Sequence, residues 1–256
     1  MSNIDSPGIR LVRDGHLASV TLDRPERHNA LEASDVDRML DILDEIDSDD
    51  SIRVAVLTGA GDRTFCSGAS LDQMSTGQMS GRRFDTLTDR LAALRVPTVC
   101  ALNGDVFGGG AELALCCDFR IGVEGMRMSV PAARLGVCYP IGGLTRYVRR
   151  LGPGIAARIL LGGEELDGSE LLRVGFLTHL TPRDDFSRVV VARTASLEEL
   201  APLAVQGMKR IMRQIEDGSL DAREASAIID LCDASRDLRE GIEARRDRRD
   251  PEFTGA

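Results

Sequence analysis

Thr98-Val99-Cys100-Ala101-Leu102-Asn103-Gly104-Asp105-Val106-Phe107-Gly108-Gly109-Gly110-Ala111-Glu112-Leu113-Ala114 decides how this chain is read. Its first five residues follow Pro97 and form a short, continuous apolar run, the pattern of a strand buried on both faces. A glycine-rich turn follows and opens into an apolar helix that runs to Cys117. Asp118 to Val123 then reads as a further strand. The design has a counterpart upstream, where Val54-Ala55-Val56-Leu57 leads into a glycine-rich loop over Gly59 to Gly68. Strand, loop, helix and strand in this rhythm predict an α/β architecture around a buried sheet.

Further out, Ile9 to Asp23 reads as two strands around Asp14-Gly15, a two-residue hairpin signal. Ser34 can cap a helix with Val36, Met39, Leu40, Leu43 and Ile46 at helical spacing and an acidic opposite face. A second helix puts Phe84, Leu87, Leu91 and Leu94 on one face and is ended by Pro97. After Pro131 candidate helices dominate, and from Ser196 to Pro251 the chain reads as wholly helical. The expected division is a core over 1–195 and a C-terminal helical region over 196–256, within one compact unit. In the latter, Pro202, Leu203, Val205, Met208, Ile211, Met212 and Ile215 form an apolar stripe.

Composition removes several functions. The 256 residues fit one large domain. With 32 basic and 41 acidic side chains the net charge is -9, which disfavours nucleic-acid binding. Trp is absent and aromatics make up 4%, too few for a base-stacking platform. Lys209 is the one lysine; no glycine is followed by lysine, so there is no Walker A loop, and Lys209 itself reads as part of a solvated basic face. No apolar run approaches the ~18 residues that span a bilayer. Met1 to Asp5 shows no secretory signal. Six cysteines without CxxC spacing read as buried reduced thiols of a cytoplasmic protein, and three scattered histidines suggest no metal site.

The two loops carry the candidate chemistry. Small residues after a buried strand let backbone N–H groups approach a ligand, and a helix N-terminus adds free donors and partial positive charge. Together the loops would form an anion site or an oxyanion hole built from backbone. Either loop alone is equally well read as a tight turn; both together, with a carboxylate after one, favour function. Gly104, Gly108, Gly109 and Gly110 miss the G-x-G-x-x-G spacing, which disfavours a dinucleotide site. Glu112 lies in the first turn of an apolar helix, where burial raises a carboxyl pKa and the helix terminus lowers it. That makes it a candidate general acid–base. It reads equally as a helix cap or as the partner of a buried arginine such as Arg120 or Arg134.

In order and spacing, Asp23-Arg24-Pro25 with Asn29-Ala30-Leu31, Phe65-Cys66-Ser67-Gly68-Ala69, Asn103-Gly104 with Gly108 to Ala114, Pro131, Leu135-Gly136 and Gly142-Gly143 resemble the crotonase superfamily, the enoyl-CoA hydratase/isomerase family. The resemblance runs over nearly the whole chain. It implies a crotonase-like spiral of ββα units with a C-terminal helical trimerisation region, assembled as a homotrimer or a dimer of trimers. It implies an acyl-CoA thioester substrate whose coenzyme A is part of the substrate, with no separate cofactor. By the same resemblance the N–H groups of Ser67 and Gly109 form the oxyanion hole, and Glu112 is the catalytic carboxylate. Arg27, Ala30, Ser67, Gly68, Ala69, Ser70, Leu71, Gly108 and Gly109 bind coenzyme A and substrate.

Two departures qualify that reading. Ser70 stands where the family usually has Asp. Ala132, after Pro131, stands where hydratases carry a second glutamate that helps hold the reacting water. Leu135-Gly136-Val137-Cys138-Tyr139-Pro140 resembles the methylmalonyl-CoA decarboxylase branch, which implies a catalytic Tyr139; otherwise Tyr139 is a packed loop aromatic. The expectation is an enoyl-CoA hydratase/isomerase-like enzyme. The alternatives are a decarboxylase of a malonyl-type CoA and a crotonase-fold protein that binds acyl-CoA without turnover. Coenzyme A is a polyanion, so an acidic chain must meet it with local arginines, Arg24, Arg27 and the cluster Arg245, Arg246, Arg248 and Arg249 being candidates.

Overall fold

Strands Ile9–Asp14 (β1) and Leu17–Leu22 (β2) form the antiparallel hairpin that Asp14-Gly15 predicts, with Gly15 at φ 55° in its turn. The computed structural model describes residues 8–256; Met1 to Asp5 lie outside the described residues. Helix α1 (Ala33–Ser48) follows and buries Val36, Met39, Leu43 and Ile46. Its cap is Glu32 rather than Ser34. The Glu32 carboxylate accepts the N3 amide while Asp35 accepts the Glu32 N–H at 2.9 Å, a reciprocal box that starts the helix earlier.

Three successive units then each send one strand into each of two sheets. They are Val54–Gly59 (β3) with Thr64–Cys66 (β4), Thr98–Leu102 (β5) with Asp105–Phe107 (β6), and Phe119–Val123 (β7) with Arg127–Ser129 (β8). Helices α2 (Leu71–Ser75) and α3 (Gly81–Ala92) follow the first unit. Helix α4 (Gly109–Cys116) lies between the second and third. Helix α3 ends at Ala92, five residues before Pro97, so the proline marks the start of β5 rather than the helix end. Helix α5 (Ile141–Leu160) leads to Leu166–Asp167 (β9), α6 (Gly168–Arg173) and His179–Thr181 (β10). The large sheet runs β1-β2-β3-β5-β7-β10, parallel from β2 onward, and the small one β4-β6-β8-β9. This is the predicted α/β spiral of strand pairs.

The apolar runs at β3 and β5 have the predicted cause. Ala55, Leu57, Cys100 and Leu102 face the main core beneath α1 and α3. Val54, Val56, Val99 and Ala101 face a second cluster closed by Leu197 of α7 (Phe186–Glu198), with Phe186, Val189 and Val190 packed on it. Both faces are covered, so no alternation is visible in the sequence. Helix α7 therefore belongs to the core and crosses the expected boundary at 196. The all-helical region begins after it, with α8 (Pro202–Asp217), α9 (Ala222–Ala234) and α10 (Arg236–Asp247).

Lys209 is not part of a solvated face. Its ammonium donates to Asp118 at 2.6 Å and to the Val96 carbonyl at 2.7 Å, tying α8 to the end of the large sheet. Arg53 does the same for the C-terminus, donating to the Phe253 carbonyl at 2.7 Å. The apolar stripe of α8 is only partly used within the chain: Met208, Met212 and Ile215 are exposed, as are Ile229, Leu231, Leu238 and Ile242 of α9 and α10. Among the described residues no helix is long and apolar enough to cross a membrane.

Candidate active site

The loop after β3 and β4 is held by two buried asparagines. Asn103 accepts the Gly59 N–H at 3.2 Å and donates to the Gly61 carbonyl at 2.7 Å. Asn29 accepts the Arg24 N–H and donates to the carbonyls of Ala60 and Thr64 at 3.0 and 2.8 Å. Each amide side chain stands in for backbone partners that an irregular loop lacks. With both in place, the segment Cys66 to Ser70 lies against the start of α4. Contact is close enough that a Cβ on Gly68, at φ 89°, would come within 2.5 Å of the Gly109 nitrogen.

This geometry corrects one expected role. The Ser67 N–H donates to the His28 carbonyl at 3.0 Å, so it is already committed. Leu31 N–H donates to the Gly68 carbonyl, and Ser70 N–H to the Leu31 carbonyl, both at 2.8 Å. In that parallel bridge the intervening Ala69 turns its own N–H away from Leu31, and it makes no hydrogen bond to another group among the described residues. Gly109, the first residue of α4, likewise has no helical acceptor for its N–H. Among the described residues Ala69 and Gly109 are therefore free amides, one in each loop. Gly108 supplies the sharp turn into α4 with φ 51°, its own N–H bound to the Ser129 carbonyl at 3.0 Å.

Glu112 is 1% exposed, and its partner is neither Arg120 nor Arg134. Arg120 is spent on the carbonyls of Phe176 and Cys117, and Arg134 on that of Gly163. The partner is Arg146 of α5, whose Nη1 donates to Glu112 Oε1 at 2.6 Å while its Nη2 donates to Asp89 of α3 at 2.9 Å. Nothing in the sequence links residue 146 to residue 112, because the pairing is made only when α5 crosses α4. Burial raises the Glu112 pKa, and the Arg146 guanidinium opposes it without cancelling it.

Around this pair lie the four buried side-chain oxygens that have no hydrogen-bond partner among the described residues: Glu112 Oε2, Asp85 Oδ1 and the hydroxyls of Tyr139 and Tyr147. The two tyrosine rings meet edge to face, 5.9 Å apart at 89°. Gly143 makes room for them: a Cβ there would sit 2.4 Å from the Tyr139 ring and 2.9 Å from Glu112 Oε2. Tyr139 thus packs close to the carboxylate. Asp85 and Tyr147 are cluster members that the sequence did not single out, since their only signal was one helical position each.

The residues expected to bind coenzyme A differ in exposure and in what they contact. Ala30 and Ala69 are half-buried on either side of the Leu31–Ala69 bridge, and Leu71 is 59% exposed at the start of α2. Ser70 caps α2 by accepting the Gln73 N–H, so the residue that departs from the family's Asp still does a capping oxygen's work. Arg27 is largely exposed and donates to Glu32, whereas Arg24 is held by Asp35 at 3.2 Å within the fold. Of the C-terminal cluster, Arg249 is paired with Glu240 and Arg246 with Asp247. All six cysteines are free thiols, but only four are buried as expected: Cys138 is exposed and Cys232 half-buried, whereas Cys66 is fully buried and its pKa is pushed up to about 12.

A fold of paired strands spiralling into two sheets, with two free loop amides beside a buried carboxylate, defines a class that the comparisons identify. The enoyl-CoA hydratase/isomerase family matches residues 13–256, and the chain belongs to that family. It is 32% identical to the 2,3-dehydroadipyl-CoA hydratase of Escherichia coli over 95% of this chain and 97% of that one. It is also 32% identical to a carnitinyl-CoA dehydratase of Proteus mirabilis over 98% and 99%. Among solved structures, an enoyl-CoA hydratase/carnithine racemase from Magnetospirillum magneticum superposes with a TM-score of 0.91 at 29% identity, covering 98% of this chain and 97% of that one.

Proposed function

We propose that the protein binds an acyl-CoA thioester and acts on its acyl group through a thioester enolate. The N–H groups of Ala69 and Gly109 receive the oxygen that gains charge, and Glu112 moves the proton. The observation that carries this reading is that, among the described residues, two unspent amides flank the Gly68–Gly109 contact at the start of the helix that bears Glu112, whose Oε2 has no partner. One such donor typically lowers the barrier by about 2.7–4 kcal/mol. Hydratase/isomerase chemistry is the first reading, since the curated relatives carry hydratase and dehydratase names.

With Ala132 in place of a second glutamate, one polar group packed near Glu112 is the Tyr139 hydroxyl, which has no hydrogen-bond partner among the described residues. That observation supports a second reading, decarboxylation of a malonyl-type CoA with Tyr139 orienting the leaving carboxylate. Non-catalytic acyl-CoA binding is the third. A panel of enoyl-, hydroxyacyl- and malonyl-CoA thioesters, analysed by mass spectrometry with the wild type and Glu112→Gln, separates them. Water addition or double-bond migration lost in the variant supports the first, and carbon dioxide release the second. Tight binding with no turnover leaves only the third.

The same reading has the exposed apolar residues of α8 to α10 packing against other copies of the chain in a trimer or dimer of trimers. Sedimentation as a monomer alone would oppose it. It also carries a cytoplasmic location, in keeping with the free thiols.

A further inference from the structure

We propose that Arg146 is the positioning residue of the Glu112 carboxylate: it pins Oε1 and leaves Oε2 as the oxygen that transfers the proton. The inference rests on the reading of Glu112 as the acid–base group.

The geometry is a two-point hold. One guanidinium nitrogen meets Glu112 at 2.6 Å and the other meets Asp89 at 2.9 Å. Glu112 and Arg146 are 1% and 10% exposed, whereas Asp89 is 66% exposed at the surface. The planar fork is thus anchored at its outer end and directed inward, an arrangement a single-point ammonium cannot copy. Oε1 is occupied, while Oε2 has no protein partner.

The electrostatics require such a group. A carboxyl buried alone takes up a proton, and a protonated carboxyl cannot act as a base. From α3, Asp85 and Asp89 face the pair; from α4, the Cys116 thiol; from α5 and the turn before it, Tyr147 and Tyr139. The acids disfavour a further negative charge. Burial pushes Cys116 and both tyrosines up, so they stay neutral. Arg146 is the cation that opposes burial at Glu112. Beside it lies a cleft of about 390 Å³ whose other arginines are matched elsewhere, Arg149 and Arg213 by Asp217 and Arg150 by Glu216.

The test is the pH profile of kcat and kcat/KM for Arg146→Gln and Arg146→Lys on the thioester that the wild type turns over best. For Arg146→Gln we expect the acid limb to move to higher pH and kcat to fall about 100-fold, with KM within about 3-fold. Arg146→Lys should keep the limb near its wild-type position and recover about tenfold of the lost kcat. An unmoved limb in Arg146→Gln, or a loss confined to KM, overturns the proposal. If Arg146→Gln does not fold, Arg146→Lys decides: lowered kcat on an unmoved limb supports it, and wild-type kcat overturns it. Glu112→Gln, run alongside, keeps the two claims apart. Wild-type turnover in that variant refutes the role of Glu112 itself, whereas its loss with an indifferent Arg146 refutes only this inference.

Discussion

Gly68 lies against the backbone of Gly109 so closely that a Cβ on residue 68 would come within 2.5 Å of the Gly109 nitrogen. The residue is also at φ 89°, where an L side chain is strained. Gly68→Ala must therefore push the two loops apart at the point where the Ala69 and Gly109 amides meet. The expected outcome is a loss of about 10²–10³ in kcat, the size of one missing oxyanion donor. Steady-state kinetics on a competent thioester checks it. Near-normal kcat in a folded Gly68→Ala protein would mean that this contact does not set the hole.

The loop's hold is also a stability statement. Asn29 is 1% exposed and makes three hydrogen bonds to backbone groups at Arg24, Ala60 and Thr64. Asn29→Ala strands those groups, and a buried polar group without a partner costs about 1–3 kcal/mol. We expect a loss of roughly 3 kcal/mol in urea unfolding. A loss below about 0.5 kcal/mol, the usual range for a surface change, would show that the groups find other partners.

Much of this was legible before the fold was known, for a physical reason. Val54–Leu57 and Thr98–Leu102 are buried on both faces, so their burial is written as unbroken apolar runs. The glycine turn before Glu112 is written as composition. What stayed hidden depends on direction and on tertiary approach. His179–Thr181 is three residues long, too short to show a period. Whether Ser67 or Ala69 offers a free amide is decided by which way each peptide faces in the Leu31 bridge, and residue type does not record that. The Arg146–Glu112 pair joins two helices 34 positions apart, and two other arginines were equally good candidates until α5 was placed.

Asp85 gives the site a pH signature in stability. Burial and the neighbouring Asp89 raise its pKa above the ordinary value of 3.8, with Arg146 opposing them. The folded state therefore holds this proton more tightly than the unfolded chain does. Its stabilising contribution is complete below the unfolded value and is lost as pH rises through the raised folded value. Asp85→Asn fixes a neutral side chain at the position. Its Tm relative to wild type should accordingly rise as the pH is taken upward from about 4 through the neutral range. A Tm difference that stays constant across that range would show that the group titrates normally in the fold.

Tyr139→Phe separates the readings of the reaction. The ring is packed edge to face on Tyr147, and phenylalanine keeps that contact while deleting a hydroxyl that has no hydrogen-bond partner. Stability should change little or rise slightly, because an unsatisfied buried hydroxyl is removed. Activity should respond differently. If the Tyr139 hydroxyl assists a proton transfer or orients a leaving carboxylate, its loss should lower kcat by about 10²-fold with KM nearly unchanged. If Tyr139→Phe slows carbon dioxide release from a malonyl-type thioester and leaves enoyl-CoA turnover intact, the hydroxyl serves decarboxylation. If both persist at wild-type rates in a protein of unchanged Tm, Tyr139 is a packing residue and Glu112 works without it.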